Sequence, residues 1–252
     1  MQMRGNTIFI TGGGSGIGRA LAEAFHFLGN KVIISGRRAE RLQATINANP
    51  GMVAVELDVT DPTSIKRVAA DLIAKNPALN VLINNAGVML LDDVDGVIDE
   101  QILVTTVTTN LGGPIRMSAA LIDHLKAQPN AAIVNVTSVR GFLPLVATAI
   151  YSATKAALHS YTLSQRYALR STGVEVIEIA PPWVRTELLN STEEARAMPL
   201  ATFIEGAMAQ IANGSAEILV GDAIQMRANP GPAERGWVAK FNNTMTSGAS
   251  HA

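Results

Sequence analysis

TIFITGGGSGIG, Thr7 to Gly18, runs a short β-branched segment straight into spaced glycines that open a helical stretch. With no Cβ at Gly12, Gly16 and Gly18 the backbone can turn tightly and approach a pyrophosphate. The phosphate charge would then rest on free N–H groups and on the positive end of the helix. Ser15 and Ile17 belong to the same turn, whose spacing is G-x-x-x-G-x-G and not the commoner G-x-G-x-x-G. Taken alone, a glycine cluster is as readily a turn without a ligand. The strand before it and the helix after it favour a dinucleotide site.

Outward from this stretch, short apolar runs recur at Thr7–Ile10, Lys31–Ile34, Val53–Leu57, Val81–Ile83, Ala132–Val136 and Val174–Ile179, and most read as buried on both faces. Between them, helical spacing covers Arg19–Leu28, Ser64–Lys75, Ile115–Ala127 and Ser152–Ser171. Strand alternating with helix predicts parallel pairing with right-handed crossovers. The expected fold is therefore α/β, a single Rossmann-type doubly wound parallel sheet flanked by helices on both faces. Gly29 stops the first helix, and Asp61-Pro62 caps and opens another. Residues 1–252 read as one domain, with a lid-like segment at about 187–211 and a flexible C-terminal tail from about 244.

Composition narrows the function classes. A 48% hydrophobic and 16% charged chain with a formal charge of -1 offers no electrostatic case for nucleic acid. No apolar run approaches the ~20 residues that span a bilayer, so no membrane partner is expected. The first residues lead directly into a strand without a secretory pattern, which predicts a cytoplasmic location. Zero cysteines excludes disulfides, thiolate metal sites and cysteine nucleophiles.

In a dinucleotide site an acid about 20 residues past the glycines would take the ribose 2'-hydroxyl. Here that position is Gly36, followed by Arg37 and Arg38. Nothing at Gly36 repels a 2'-phosphate, and the two arginines could clamp it. NADP(H) is favoured on this ground. The alternative, Arg37 stacked on adenine with Arg38 solvated, leaves NAD(H) acceptable, and Ser15 stands where a basic residue would strengthen the NADP reading. Asp58, with Val59 beside it, ends the third strand, placed to accept from an adenine amino group, while Asp61 is the better helix cap. In Asn84-Asn85-Ala86-Gly87, small residues would let backbone approach a ribose, with a plain turn as competitor.

YSATK places Tyr151 and Lys155 at i and i+4, one turn apart on one helix face. Such a pair is common on solvated faces, but Ser138 lies just past the strand ending at Val136, at the carboxyl edge where α/β sheets bind ligands. A phenol of pKa about 10 is a poor proton exchanger at neutral pH. The Lys155 ammonium and a positive nicotinamide would both favour tyrosinate. The chemistry expected is interconversion of a ketone and a secondary alcohol, with Tyr151 as acid or base and Ser138 holding the oxygen. Lys155 would tune Tyr151 and bind ribose hydroxyls.

With these residues in place, the chain resembles the short-chain dehydrogenase/reductase family over nearly its whole length. TGGGSGIG matches its cofactor loop, NNAG its fourth-strand motif, Asn110 in TTNLGG its helix asparagine, Ser138 its serine and YSATK its Tyr/Lys pair. The resemblance implies a bound-water relay from Lys155 to solvent through Asn110; read by itself, Asn110 is equally a helix-kink residue bonded to backbone. PPWVRTEL matches the loop after the sixth strand, where the family sets Thr186 and backbone near Val184 against the nicotinamide carboxamide. The family has Pro-Gly where this chain has Pro181-Pro182, which leaves the loop path open. Within the family the chain is similar to the DltE-like reductases of bacteria, through SGRR, the Pro-Pro loop and the absence of a long insertion. A homotetramer or homodimer is implied through helices at Gly112–Ala127 and Ser152–Ser171, where Ala153, Ala156 and Ala157 permit close packing.

The acidic cluster Asp92, Asp93, Asp95, Asp99 and Glu100 matches no calcium loop and reads as a solvated loop and helix start; no metal site is expected. His26, His124, His159 and His251 are scattered, His159 reading as a packing residue. The segments flanking the site, from Val88, from Arg140, at Trp183 and across 187–211, are mostly apolar. They predict a ketone or alcohol with an uncharged hydrophobic body. In the last of them Met198, Phe203, Met208 and Ile211 read as lid or, more safely, as core. The rival readings are a non-catalytic dinucleotide-binding sensor or scaffold and an epimerase or dehydratase on the same fold.

Overall fold

The computed structural model describes residues 1–228 and 231–247, with side chains described to residue 245. Within them the chain alternates as the sequence predicts: β1 (Thr7–Thr11), α1 (Gly16–Phe27), β2 (Lys31–Gly36), α2 (Ala39–Ala48), β3 (Val53–Glu56), α3 (Pro62–Lys75) and β4 (Leu79–Asn84). There follow α4 (Glu100–Val107), a π-helical turn at Thr108–Gly112, α5 (Gly113–Lys126), β5 (Ala131–Val136), α6 (Ala149–Leu169), β6 (Val174–Ile179), α7 (Leu200–Ala212), β7 (Glu217–Ile218), α8 (Ala223–Arg227) and α9 (Glu234–Ser247). The strands form one sheet in the order β3-β2-β1-β4-β5-β6-β7, every neighbouring pair parallel. The order reverses between β1 and β4, and there the glycine turn leaves the carboxyl end of β1.

Alternation along each strand divides the core between the two faces. Ile8 and Ile10 of β1 and Ile34 of β2 join Leu21 and Phe25 of α1 and Phe203 and Ile211 of α7. Phe9 and Ile33, one residue out of phase, join Val68 and Leu72 of α3 and Met117 and Leu121 of α5. Both faces of β1, β4 and β5 are buried, as expected, but β3 is an edge strand with Val53 44% exposed. At two residues β7 is too short to show any periodicity.

Helix punctuation follows local chemistry. Gly29 has φ +85°, and Asp61 accepts from the Thr63 N–H at 2.8 Å as the cap of α3. The segment expected as a lid divides: its first part forms a 3-10 turn at Leu188–Glu193, whereas α7 belongs to the core through Phe203, Ala207 and Ile211. Met198 and Met208 pack against that cluster. The expected tail is helical through Ser247 because α9 is pinned by Asn242, which accepts from Val146 N–H at 2.7 Å and donates to Pro144 O at 3.1 Å. Residues 248–252, the rest of that tail, and with them His251, lie outside the described residues. Among the described residues no helix is long and apolar enough to cross a membrane.

Candidate active site

At the switch point the glycine turn is held in a shape that only glycine permits. Gly12 has φ +70° and Gly16 φ +53°. A Cβ on Gly12 would lie 2.9 Å from Ala86 Cα, and one on Gly18 would collide with the Asn85 amide and the Gly12 carbonyl. Asn85 is therefore more than a small-residue approach to ribose. Its side chain donates to Thr11 O at 3.0 Å and Gly12 O at 3.2 Å and so ties the end of β4 to the turn. Ser15 is the N-cap of α1 without a side-chain cap bond, and no acid stands in the first turn, so the helix start can take an anion. A close cradle ending on a positive helix terminus fits a dinucleotide pyrophosphate.

One cleft of about 1020 Å³ gathers nearly every residue expected in the site. Its cofactor end holds Gly12, Ser15, Gly16, Ile17, Gly18, Arg37, Arg38, Asp58, Val59, Asn85, Ala86 and Gly87, and its far end Ser138, Tyr151, Lys155, Pro181, Val184 and Thr186. Asn110 is the exception. It is fully buried in the π-helical turn behind the wall, which Thr109 lines in its place. The Asn110 carbonyl accepts from Val88 N–H and its amide donates to Val88 O, both at 2.8 Å. This is the backbone-bonding reading, with the helix widened where the side chain turns inward. Asn110 Oδ1 and Lys155 Nζ nonetheless both flank Gly87, 3.2 and 3.8 Å from where its Cβ would be.

Ser138, Tyr151 and Lys155 are 7%, 6% and 4% exposed. The Ser138 hydroxyl beside the Tyr151 phenol favours its ionisation, but burial outweighs it and raises the phenol above its ordinary value. Lys155 Nζ stands 5.6 Å from the Tyr151 ring centroid and donates to Val136 O at 2.8 Å. Burial lowers Lys155 to about 8. Arg140, a cation not singled out in the sequence, also acts on the phenol and favours its ionised form.

Placement of these groups rests on two devices around α6. Asp92, expected to be solvated, accepts from Ala149 N–H at 3.0 Å and Ile150 N–H at 2.8 Å and so caps the helix that carries Tyr151. Its neighbour Asp99 caps α4. Across the sheet, Asn135 donates to Thr162 and Gln165, both at 3.0 Å. The Pro-Pro loop takes a settled path: Pro181 O accepts from Val139 N–H at 3.1 Å, and Trp183 and Arg185 pair with Met198. Thr186 then lies 3.5 Å from where a Cβ on Gly16 would be, closing the loop on the glycine turn.

Asp58 does not cap α3; it accepts from Thr60 N–H at 2.9 Å and faces the cleft. At the end of β2, Arg37 lines the cleft, while Arg38 donates to Ser15 Oγ at 3.2 Å. Arg41, missed in the sequence, joins them from α2; its signal was the i+3 spacing from Arg38. Arg41 bonds Glu187, and Arg38 stands 3.9 Å from that carboxylate. Also missed were Met226, Phe241 and Met245, which wall the far end from α8 and α9 and carry no motif. His159 is no simple packing residue either: its Nδ1 lies 2.9 Å from both oxygens of the fully buried Glu178, which also accepts from Thr137 at 2.7 Å. Glu217 approaches this pair and is itself held by Arg227 at 2.9 Å.

A doubly wound parallel sheet with a glycine cradle at its switch point and a Ser/Tyr/Lys cluster on the adjoining strand edge defines a dinucleotide-dependent oxidoreductase. The family profile described as short chain dehydrogenase matches residues 6–197, and the chain belongs to that family. It is 41% identical over 199 residues to an uncharacterized oxidoreductase DltE of Bacillus subtilis, with 79% of each chain covered. Among solved structures, a short chain dehydrogenase from Burkholderia cenocepacia in complex with NADP superposes with TM-score 0.83 at 28% identity, covering 96% of this chain and 99% of that one. A relative from Burkholderia phymatum in complex with NAD shares the fold at TM-score 0.81 and 23% identity, covering 89% and 92%.

Proposed function

We propose that the protein interconverts a ketone and a secondary alcohol with a nicotinamide cofactor, NADP(H) in preference to NAD(H). The observation that carries this reading is the buried contact of Ser138 with Tyr151, one turn from Lys155 in the same cleft as the glycine cradle. A reduced nicotinamide bound in the cleft supplies hydride. Ser138 holds the substrate oxygen, and Tyr151 gives it a proton. Burial keeps Tyr151 protonated at neutral pH, the form that reduction needs. In the alcohol direction the tyrosinate is required, so oxidation rises with pH. Lys155 would bind ribose hydroxyls, and Asn110, whose Oδ1 flanks Gly87 as Lys155 Nζ does, would serve the relay to solvent.

Tyr151→Phe removes the proton donor and little else. Turnover is expected to fall by roughly 10²- to 10⁴-fold while NADPH affinity is retained. An active variant would refute the mechanism; net cofactor oxidation with turnover separates it from an epimerase or dehydratase, and from a scaffold. The NADP preference rests on Arg37 and Arg38 just after β2 and Arg41 on α2, with no acid at Gly36. Arg37→Ala, Arg38→Ala and Arg41→Ala together should weaken NADPH far more than NADH, measured by fluorescence titration; equal losses would leave NAD(H) as the cofactor. Assembly as a dimer or tetramer through α5 and α6 is supported by exposed Ala153, Ala156, Leu163 and Tyr167 on α6, and light scattering reads it directly.

A further inference from the structure

Arg140 stands apart from the other cations of the cleft. It is two residues past Ser138, whose hydroxyl accepts its backbone N–H at 3.1 Å, and its side chain is 8% exposed at the Tyr151 end. Among the described residues no carboxylate lies within 4.0 Å of it, whereas Arg38 and Arg41 face Glu187 and Arg196 holds Glu194. Its contacts are weak substitutes: one N–H donates to Leu143 O at 3.2 Å, another approaches Met226 sulfur at 3.8 Å, and the guanidinium lies 4.2 Å from the Phe241 ring centroid. Burial lowers it to about 10, the cost of a charge whose water is gone and which no carboxylate answers; the Tyr151 phenol alone acts the other way. A guanidinium has five N–H donors in a rigid fork, matched to a carboxylate. An uncharged, wholly hydrophobic substrate would leave that fork unanswered.

We propose that Arg140 receives the carboxylate of the substrate, so that the ketone or alcohol handled here is an oxo acid or a hydroxy acid. This rests on the reading of Ser138 and Tyr151 as the reacting pair. In reduction the nicotinamide gives hydride to the carbonyl carbon, Tyr151 gives a proton to the oxygen, and two electrons pass from cofactor to substrate. The carboxylate is unchanged; it orients the chain. The apolar wall of Met226, Phe241 and Leu145 then faces the hydrocarbon part.

The test compares acids with their uncharged methyl esters: pyruvate, acetoacetate and levulinate, which vary the distance from carbonyl to carboxylate. Each is titrated calorimetrically into the enzyme–NADP⁺ complex, where an oxo compound binds without turning over, and each is assayed with NADPH. In at least one pair the acid is expected to bind at least ~10-fold more tightly than its ester. Arg140→Gln should erase that difference with NADPH affinity intact. Arg140→Lys, which keeps charge without the fork, should retain part of it and serves if the glutamine variant does not fold. Esters that bind as well as their acids throughout, or a preference that survives Arg140→Gln, would overturn the proposal. Failure of the underlying reading looks different: acids bind through Arg140, yet none is turned over, or Tyr151→Phe remains active.

Discussion

At the scale of single residues, the cluster of Tyr151, Lys155 and Arg140 is governed by burial. Tyr151 is pushed up, Lys155 down to about 8 and Arg140 down to about 10, each toward its neutral form. Consequences for stability follow from Lys155. Its folded value lies below its unfolded value of 10.5, so between the two the unfolded chain binds more protons, and folding stability rises with pH. Across a window of about pH 8 to 10.5 the gain is about 3 kcal/mol. Urea denaturation without cofactor should show wild type gaining on Lys155→Met over that interval. A constant difference would mean that the lysine titrates in the folded chain as it does in the unfolded one. The identity of the serine, tyrosine and lysine was legible in YSATK and in Ser138, but the presence of Arg140 beside the phenol was not. Arg140 read as the start of an apolar segment, and only the fold turns it into the cleft.

At the scale of elements, α6 matters most because it carries both Tyr151 and Lys155. Its first turn has no capping side chain of its own, and Asp92, 57 and 58 residues away from the N–H groups it serves, supplies the missing acceptor. Asp92→Ala should cost about 1 kcal/mol of stability by urea denaturation and lower turnover, since Tyr151 sits in the turn that loosens. Asp92→Asn should restore both, an amide oxygen being an equal cap. If alanine is neutral, the cap is not holding the helix. In the sequence Asp92 was one acid among five near neighbours, and no local pattern could separate it from Asp93 or Asp95. The strands were far easier to read. Six apolar runs bounded by turn residues sufficed, because double burial of the inner strands leaves little room for polar residues, and the edge strand β3 is still β-branched. The π-helical turn around Asn110 and the two-residue β7 have no comparable signature.

Over the whole molecule, the cleft is closed across the cofactor end by Glu187, which reaches Arg41 from 146 residues along the chain. Arg41 holds the Glu187 carboxylate below its usual range. In the proposed reading a 2'-phosphate competes with that carboxylate for Arg38 and Arg41. Glu187→Gln should therefore tighten NADPH by roughly two- to five-fold, as suits an exposed pair, and leave NADH nearly unchanged. Weaker NADPH binding would show that Glu187 helps to seat the cofactor instead. By itself the sequence determined the doubly wound sheet, the glycine turn at its switch point, and the serine, tyrosine and lysine of the site. Each of these follows from chemistry within a few residues: strand and helix periods, absent Cβ atoms, and the i to i+4 spacing on one helix face. Only the tertiary structure decided the rest. The cap of α6, the clasp of Glu187 on Arg41, the wall built by α9 and the unpaired buried guanidinium of Arg140 join residues from 57 to 146 positions apart or depend on which side chains are hidden from water. Neither long-range contact nor burial leaves a local pattern to read.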